Sequence, residues 1–329
     1  MAVINVTPLT DINALIASDS VNEGDVLLLE EGIYFQTVNI QKNYIRIAAK
    51  GPGVIFDGKS MLSTAFTLSN VVGVAIEGIT IRNYRGIGLL IESGSGNRIV
   101  NNKLRNMINN GIELITSSGN LIWKNEVCSC LEGIRLTFGS TNNWVIQNIV
   151  RENGDDGFVI LFSFDSNNAF ISNKCIRNGG SAFNVFGSNS LFLDNILTDN
   201  DQGLVFNDGN DSVAIGNKIE GTKLAALVFI NNRRNYFAGE NHIVCNSRQG
   251  INIPSEFGMF LDNEISYNGF TGISLGQSSA GNLIMNNRLV CNLPENIVDN
   301  GTDNNLINNT DKPCEPCESP SDICDNCSD

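Results

Sequence analysis

The chain has 329 residues, 42% of them apolar and 17% charged, which is enough apolar material for a core and argues against wholesale disorder. Glycine is abundant at 32 and proline scarce at 7, a balance that suits many short strands joined by tight turns rather than long helices. With 21 basic and 35 acidic residues the net charge is −14; this disfavours nucleic acid and anionic membrane surfaces as partners, and no stretch reaches the roughly 18 apolar residues of a membrane span.

The first twenty residues lack the basic segment and long apolar run of a signal peptide, so synthesis in the cytosol is expected. Residues 10–18, TDINALIAS, form the one convincing helical stretch, with Thr10 or Asp11 as N-cap. EGDVLLLEEGIYFQ then reads as a strand pair around a turn. From Asn39 to about Ser69 the pattern gives irregular early coils, including VIFDG around Asp57.

Beyond this a repeat takes over. The segments NKL, NEV, NIV, NKC, NIL, NKI, NHI, NEI and NRL begin at Asn102, Asn125, Asn148, Asn173, Asn195, Asn217, Asn241, Asn263 and Asn287, in steps of 22 to 25 residues. Eight or nine positions after each of the first eight, a small residue opens another apolar run, as at Gly111, Gly133, Gly157, Ala182, Gly203 and Ala225. Two registers that keep step over this length define an all-β fold, a right-handed parallel β-helix solenoid of about eleven to twelve coils.

The residues two positions before and two after each Asn are nearly all apolar, and both sets are expected to face inward. An Asn at one corner of every coil can bond its equivalent about 4.8 Å away, which predicts a structural ladder rather than scattered sugar ligands. A second column lies five residues on, at Asn153, Asn178, Asn200, Asn246, Asn268 and Asn292, with Cys130 and Thr222 as interruptions.

The repeat fades near Asn309. The organisation expected is a strand and capping helix over 1–20, the β-helix over 21–310 and a flexible acidic tail over 311–329. A helix at the front would plug an edge that otherwise templates aggregation. In the tail, Cys314, Cys317, Cys324 and Cys327 have the spacing C-x2-C-x6-C-x2-C. Four thiolates could hold zinc, although the central gap is short for a zinc ribbon; alternatively the four crosslink the chain to itself or to other assembly proteins.

NGDDGF offers the best carboxylates, Asp155 and Asp156, at a turn before a strand, with Glu132 one coil below Asp156 in register. Three converging acids could bind calcium or divide acid and base roles, and Arg135 lies close enough in register to serve a lyase or epimerase. The simpler reading is a solvated turn, with Arg135 paired across one coil to Glu113. His242, the only histidine, falls on an outward position and does not support a histidine-dependent triad. Of the Phe residues near one face, Phe158, Phe138 and Phe162 read as core, and Phe164 is the one whose exposure needs testing.

On the opening GDVLLLEEGIY, the VIFDG step and the Asn-x-Ile … Gly-Ile repeats, residues 20 to 310 resemble the pectate-lyase-like superfamily of parallel β-helices. The resemblance implies the fold. That superfamily spans polysaccharide lyases, hydrolases, epimerases, phage tailspikes and non-catalytic surface proteins, so it does not choose an activity. The GDD is similar to the central acid pair of polygalacturonase-type hydrolases, but the preceding coil offers LEG, the following coil NGGSAF has no His, and no Arg-Ile-Lys follows. Two readings stand. One is a non-catalytic structural solenoid tethered through its cysteine tail, for example in the outer layer of a spore or particle. The other is a polysaccharide-active enzyme using the Asp155/Asp156 region.

Overall fold

The computed structural model describes residues 1–208, 210–230 and 236–314. By its internal contacts the chain divides into two compact units, Met1–Ala169 and Phe170–Asp329. Each is a parallel β-solenoid with three sheets, and the chain makes about 13 turns in all. The count exceeds the expected eleven to twelve because the earliest turns, such as the one through Val26–Leu29 and Gly32–Tyr34, carry no ladder Asn to mark them.

One coil of the first unit shows the plan. Leu121–Trp123 belongs to the first sheet, Glu126–Cys128 to the second and Ile134–Thr137 to the third. Every strand pairs in parallel with its equivalent one coil away, for example Ile122 with Val145, Val127 with Val150 and Leu136 with Ile160. The one described helix, Ile12–Ala17, is capped by Asp11, whose carboxylate accepts the Ala14 N–H at 3.0 Å. It buries Ile12 and Ile16, and Asn13 reaches across to Thr37 O at 2.8 Å and to the Asn39 N–H at 2.7 Å. The strand before it, Val3–Val6, opens the first sheet by pairing with Val26–Leu29.

The asparagine ladder is present in both units. Asn102 donates its backbone N–H and its amide to Asn125 Oδ1 at 3.0 and 3.1 Å, and the same amide reaches Ile76 O at 2.9 Å. In the second unit the same links run from Asn173 through Asn195, Asn217, Asn241, Asn263 and Asn287 to Asn309. Each rung thus satisfies polar groups that burial would otherwise leave costly. Each ladder Asn follows a residue in left-handed backbone, among them Lys124 (φ 55°), Asp194 (φ 54°), Glu240 (φ 54°) and Asp262 (φ 56°).

That corner corrects one expectation. The residues two before each Asn, such as Trp123, Ile146, Leu193, Ile215, Leu261 and Met285, point outward; the inward ones sit three before, at Ile122, Val145, Phe192, Ala214, Phe260 and Ile284. A left-handed residue reverses the chain between strand and Asn, so counting by twos across it assigns the wrong face. The positions two after the Asn are inward as expected, with Leu104, Val127 and Ile243 buried.

The second column is more continuous than the sequence indicates. The Thr222 N–H donates to Asn246 Oδ1 at 3.0 Å, with its hydroxyl 2.9 Å from the same oxygen, and the Cys130 N–H donates to Asn153 Oδ1 at 3.0 Å. A third column precedes the first sheet: Asn97, Asn120, Asn143 and Asn168 in the first unit, Asn282 and Asn304 in the second. Small residues before the third sheet have a steric cause. A Cβ on Gly133 would lie 2.3 Å from Val150 Cγ1 and 2.4 Å from Gly157 O. Inside the second unit, rings stack from coil to coil, as Phe206 does on Phe229 at 5.0 Å.

Candidate functional site

The acidic candidates gather on the outer side of the third sheet in the first unit. Strand pairing places Glu113 beside Arg135 and Arg135 beside Val159. In the preceding turn the Gly111 N–H donates to Glu132 O and the Gly133 N–H to Asp156 O, at 3.0 and 3.1 Å, so Asn110, Glu132 and Asp156 stack in successive coils. Asp156 is buried and Asp155 exposed.

Arg135 lies among these acids. Its Nη1 donates to Glu132 Oε2 at 3.0 Å, and its Nε is 3.7 Å from Glu113 Oε1. Asn110 Nδ2 donates to Glu113 Oε2 at 3.1 Å. Burial pushes the Glu132 carboxyl above its ordinary range; Arg135 pulls it back, and Asp156 and Asp155 add to the rise. The register therefore does bring Glu132, Asp155, Asp156 and Arg135 together. A calcium ion does not fit them: it takes six to eight oxygen ligands, and here a guanidinium already supplies the positive charge. Among the described residues no group of three or more His, Cys, Asp or Glu side chains is placed to hold a metal.

At the other end of the same strand, Ile134–Thr137, aromatic rings collect. Phe138 and Phe162 have ring centroids 5.1 Å apart, and Phe162 stacks on Phe164 at 5.1 Å and 7°. Phe138 and Phe164 are each 56% exposed, whereas Phe158 is fully buried. Phe138 is thus a surface ring, contrary to the core role expected of it, because its left-handed backbone (φ 54°) turns it off the strand. The buried Asp165 carboxylate accepts the N–H groups of Gly139, Ser140 and Phe162 at 2.6, 2.9 and 2.8 Å, tying together the turns that carry the rings. No sequence periodicity signalled this clamp, since Asp165 is the only acid in its column of serines, Ser117 and Ser140.

His242 is on the surface with Nδ1 3.3 Å from Glu264 Oε2. Cys314, grouped by spacing with the other tail cysteines as a crosslink or zinc ligand, is instead bonded within the chain to Cys291. The two are 23 residues apart, one coil, which brings their Cα atoms to 4.2 Å. Cys317, Cys324 and Cys327 lie outside the described residues.

The right-handed β-helix region family matches over residues 26–175, 87–241 and 160–289, and the chain belongs to it. Among solved structures, the A-module of the mannuronan C-5 epimerase AlgE6 of Azotobacter vinelandii superposes with a TM-score of 0.64 at 16% identity, covering 92% of this chain and 89% of that one. The catalytic domain of a GH87 alpha-1,3-glucanase gives 0.68 at 15% identity, over 95% and 68%. PfbA, a surface adhesin of Streptococcus pneumoniae, gives 0.58 at 11% identity, over 92% and 86%. Identities this low establish a common fold and nothing finer. No curated protein matches the chain.

Proposed function

We propose that the chain is a non-catalytic structural solenoid of a surface assembly, deposited on a spore or particle and tethered through the cysteines beyond Cys314. The observation that carries this reading is the clasp of Arg135 between Glu132 and Glu113. A lyase or epimerase needs a free cation against the substrate carboxylate and a base beside it. Here the cation is spent on the chain's own acids, and the lone histidine is paired with Glu264 on a different sheet. A surface role is supported by one of the structural neighbours, which is a surface adhesin. The purified chain, incubated with alginate or pectate and calcium, is expected to release no product. Turnover that Asp156→Ala or Glu132→Gln abolishes would overturn the reading.

A second reading, a polysaccharide-active or polysaccharide-binding protein, is favoured by the shelf in which exposed Phe138 and Phe164 flank half-buried Phe162. Shelf and acids flank the two ends of one four-residue strand, a span of about 13 Å that a few sugar rings cover. Two of the neighbours, the mannuronan epimerase and the alpha-1,3-glucanase, act on polysaccharides. If this reading holds, Phe164→Ala weakens retention on a glycan column at least tenfold, and no such loss occurs if it does not.

A further inference from the structure

The corner between the first and second sheets of the first unit carries charges that the chain does not neutralise. Residues 98–105, RIVNNKLR, turn that corner, and Arg98, Lys103 and Arg105 point outward and are exposed. In register Arg98 lies between Ala75 and Leu121, Lys103 between Thr80 and Glu126, and Arg105 between Arg82 and Cys128. The nearby acids are already taken: Glu77 by Arg46, Asp57 by Arg82 and Glu126 by Arg151. Among the described residues Arg98, Lys103 and Arg105 enter no ion pair and no side-chain hydrogen bond. Lys124, exposed at the corner one coil on, lies over the Trp123 ring, 4.7 Å from its centroid.

Two further features adjoin these cations. At the corner itself Gly78 (φ 74°) stands one coil before Asn101 and has no side chain. A depression of about 350 Å³ opens there, lined by Pro52, Gly78, Thr80, Asn101 and Lys103 among others, a volume at the small end of ligand clefts. On the other side stand the chain's only two tryptophans, both outward on the first sheet. Trp123 Nε1 donates to Gln147 Oε1 at 3.0 Å, which fixes its ring, and Trp144 on the next strand is 51% exposed.

We propose that this corner is a holding site for an acidic sugar chain, one that carries carboxylate or sulfate groups. At the depression an ammonium, an amide and a hydroxyl, those of Lys103, Asn101 and Thr80, supply the donors that such a group accepts. Arg98 and Arg105 extend the positive field onto both sheets, and the exposed indole suits the C–H face of a sugar ring. Like charges side by side in register, as Arg82 and Arg105 are, cost stability, and the winding gains nothing from them. A bound anion offsets that cost. A planar anionic membrane meets one face at a time, whereas these cations wrap a corner that a flexible chain can follow. Nucleic acid asks for a longer cationic track than Arg98, Lys103, Arg105 and Lys124 provide on a chain of net charge −14. The carboxylates at the corner are held by arginines, so the site binds without turnover. It lies off the third sheet and stands whichever reading of the Glu132–Arg135 region holds.

The test is equilibrium binding of the full chain, with a metal chelator present, to immobilised polygalacturonate, dextran sulfate and uncharged dextran. The expected result is binding to at least one of the two acidic polymers, none to uncharged dextran, and release as salt rises. Retention on polygalacturonate, on dextran sulfate or on both tells carboxylate from sulfate. Lys103→Gln/Arg105→Gln should raise the dissociation constant at least about tenfold with unchanged circular dichroism, and Trp144→Ala should raise it by a smaller factor. Should the double variant misfold, Lys103→Gln alone serves, with a smaller loss. Failure to bind either acidic polymer would overturn the proposal, as would equal binding to uncharged dextran. So would binding that the corner substitutions leave intact while Phe164→Ala removes it. A chain that ignores both acidic polymers and takes up single-stranded DNA or phosphatidylserine vesicles would overturn it as well.

Discussion

Two strands that follow one another round a coil, Met259–Leu261 and Glu264–Ser266, bury the equivalent residues Phe260 and Ile265, yet their outer faces have little in common. Outside the first sheet, Met259 and Leu261 continue apolar columns. Outside the second, His242, Glu264 and Arg288 stack, with Arg288 and His242 both pairing to Glu264. Lys218 and Glu220 pair at 2.5 Å on the same face. The winding needs only the inner residues and the corner amides, so the outer face is free to be anything. Charge on the second sheet keeps that face in water. Apolar residues on the first contribute nothing to the winding and leave that face less hydrated than its neighbour.

Four measurements can break or sharpen this contrast. The largest effect belongs to the shared interior: Asn217→Ala strands the Asn195 N–H and amide and the Phe192 carbonyl. It should cost about 4 kcal/mol by chemical denaturation, given 1–3 kcal/mol for each buried group left unpaired. Phe260→Ala, inward on the first sheet, should cost about 3 kcal/mol. Its outward neighbour Leu261→Glu should cost under about 1 kcal/mol; equal losses at 260 and 261 would mean the two faces are not distinct. On the second sheet Glu264→Gln should shift stability by under about 1 kcal/mol, with the difference vanishing in high salt.

The smallest effect concerns pH. Burial holds the Glu132 pKa above its unfolded value. The folded state therefore keeps this proton to higher pH than the unfolded one, and stability falls as pH rises from the unfolded value through the folded one. Glu132→Gln should remove that loss, so in denaturation midpoints the variant gains on the wild type as pH rises above the ordinary carboxylate range. A wild type that gains on it instead would reverse the sign assigned to the clasp.

The ladder was legible because Asn is costly to bury alone and recurs at every coil step. The third column was not, because Ser190, Ser212, Tyr236 and Gly258 interrupt it between Asn168 and Asn282. The facing of the first sheet was misread for a related reason. LFL, VAI, MFL and LIM show no alternation when both faces are apolar, and the left-handed corner spoils any count from the Asn. Of the site, the convergence of Glu132, Asp155, Asp156 and Arg135 followed from register alone. The exposure of Phe138 and the Asp165 clamp depend on turn geometry, which leaves no periodic trace. The Cys291–Cys314 link was hidden because the tail was read as a segment apart, although its first cysteine stands one coil period beyond Cys291.

The left-handed residue before each ladder Asn carries a consequence for how such a chain diverges. At these corners stand Asn101, Lys124, Gln147, Ser172, Asp194, Gly216, Glu240 and Asp262, a set with no common chemistry. The neighbouring amide holds the bend whatever side chain is present, so these sites can change sign from cation to anion without disturbing the thread. The electrical character of this rim can therefore drift in evolution, or be rewritten by design, independently of the architecture beneath it.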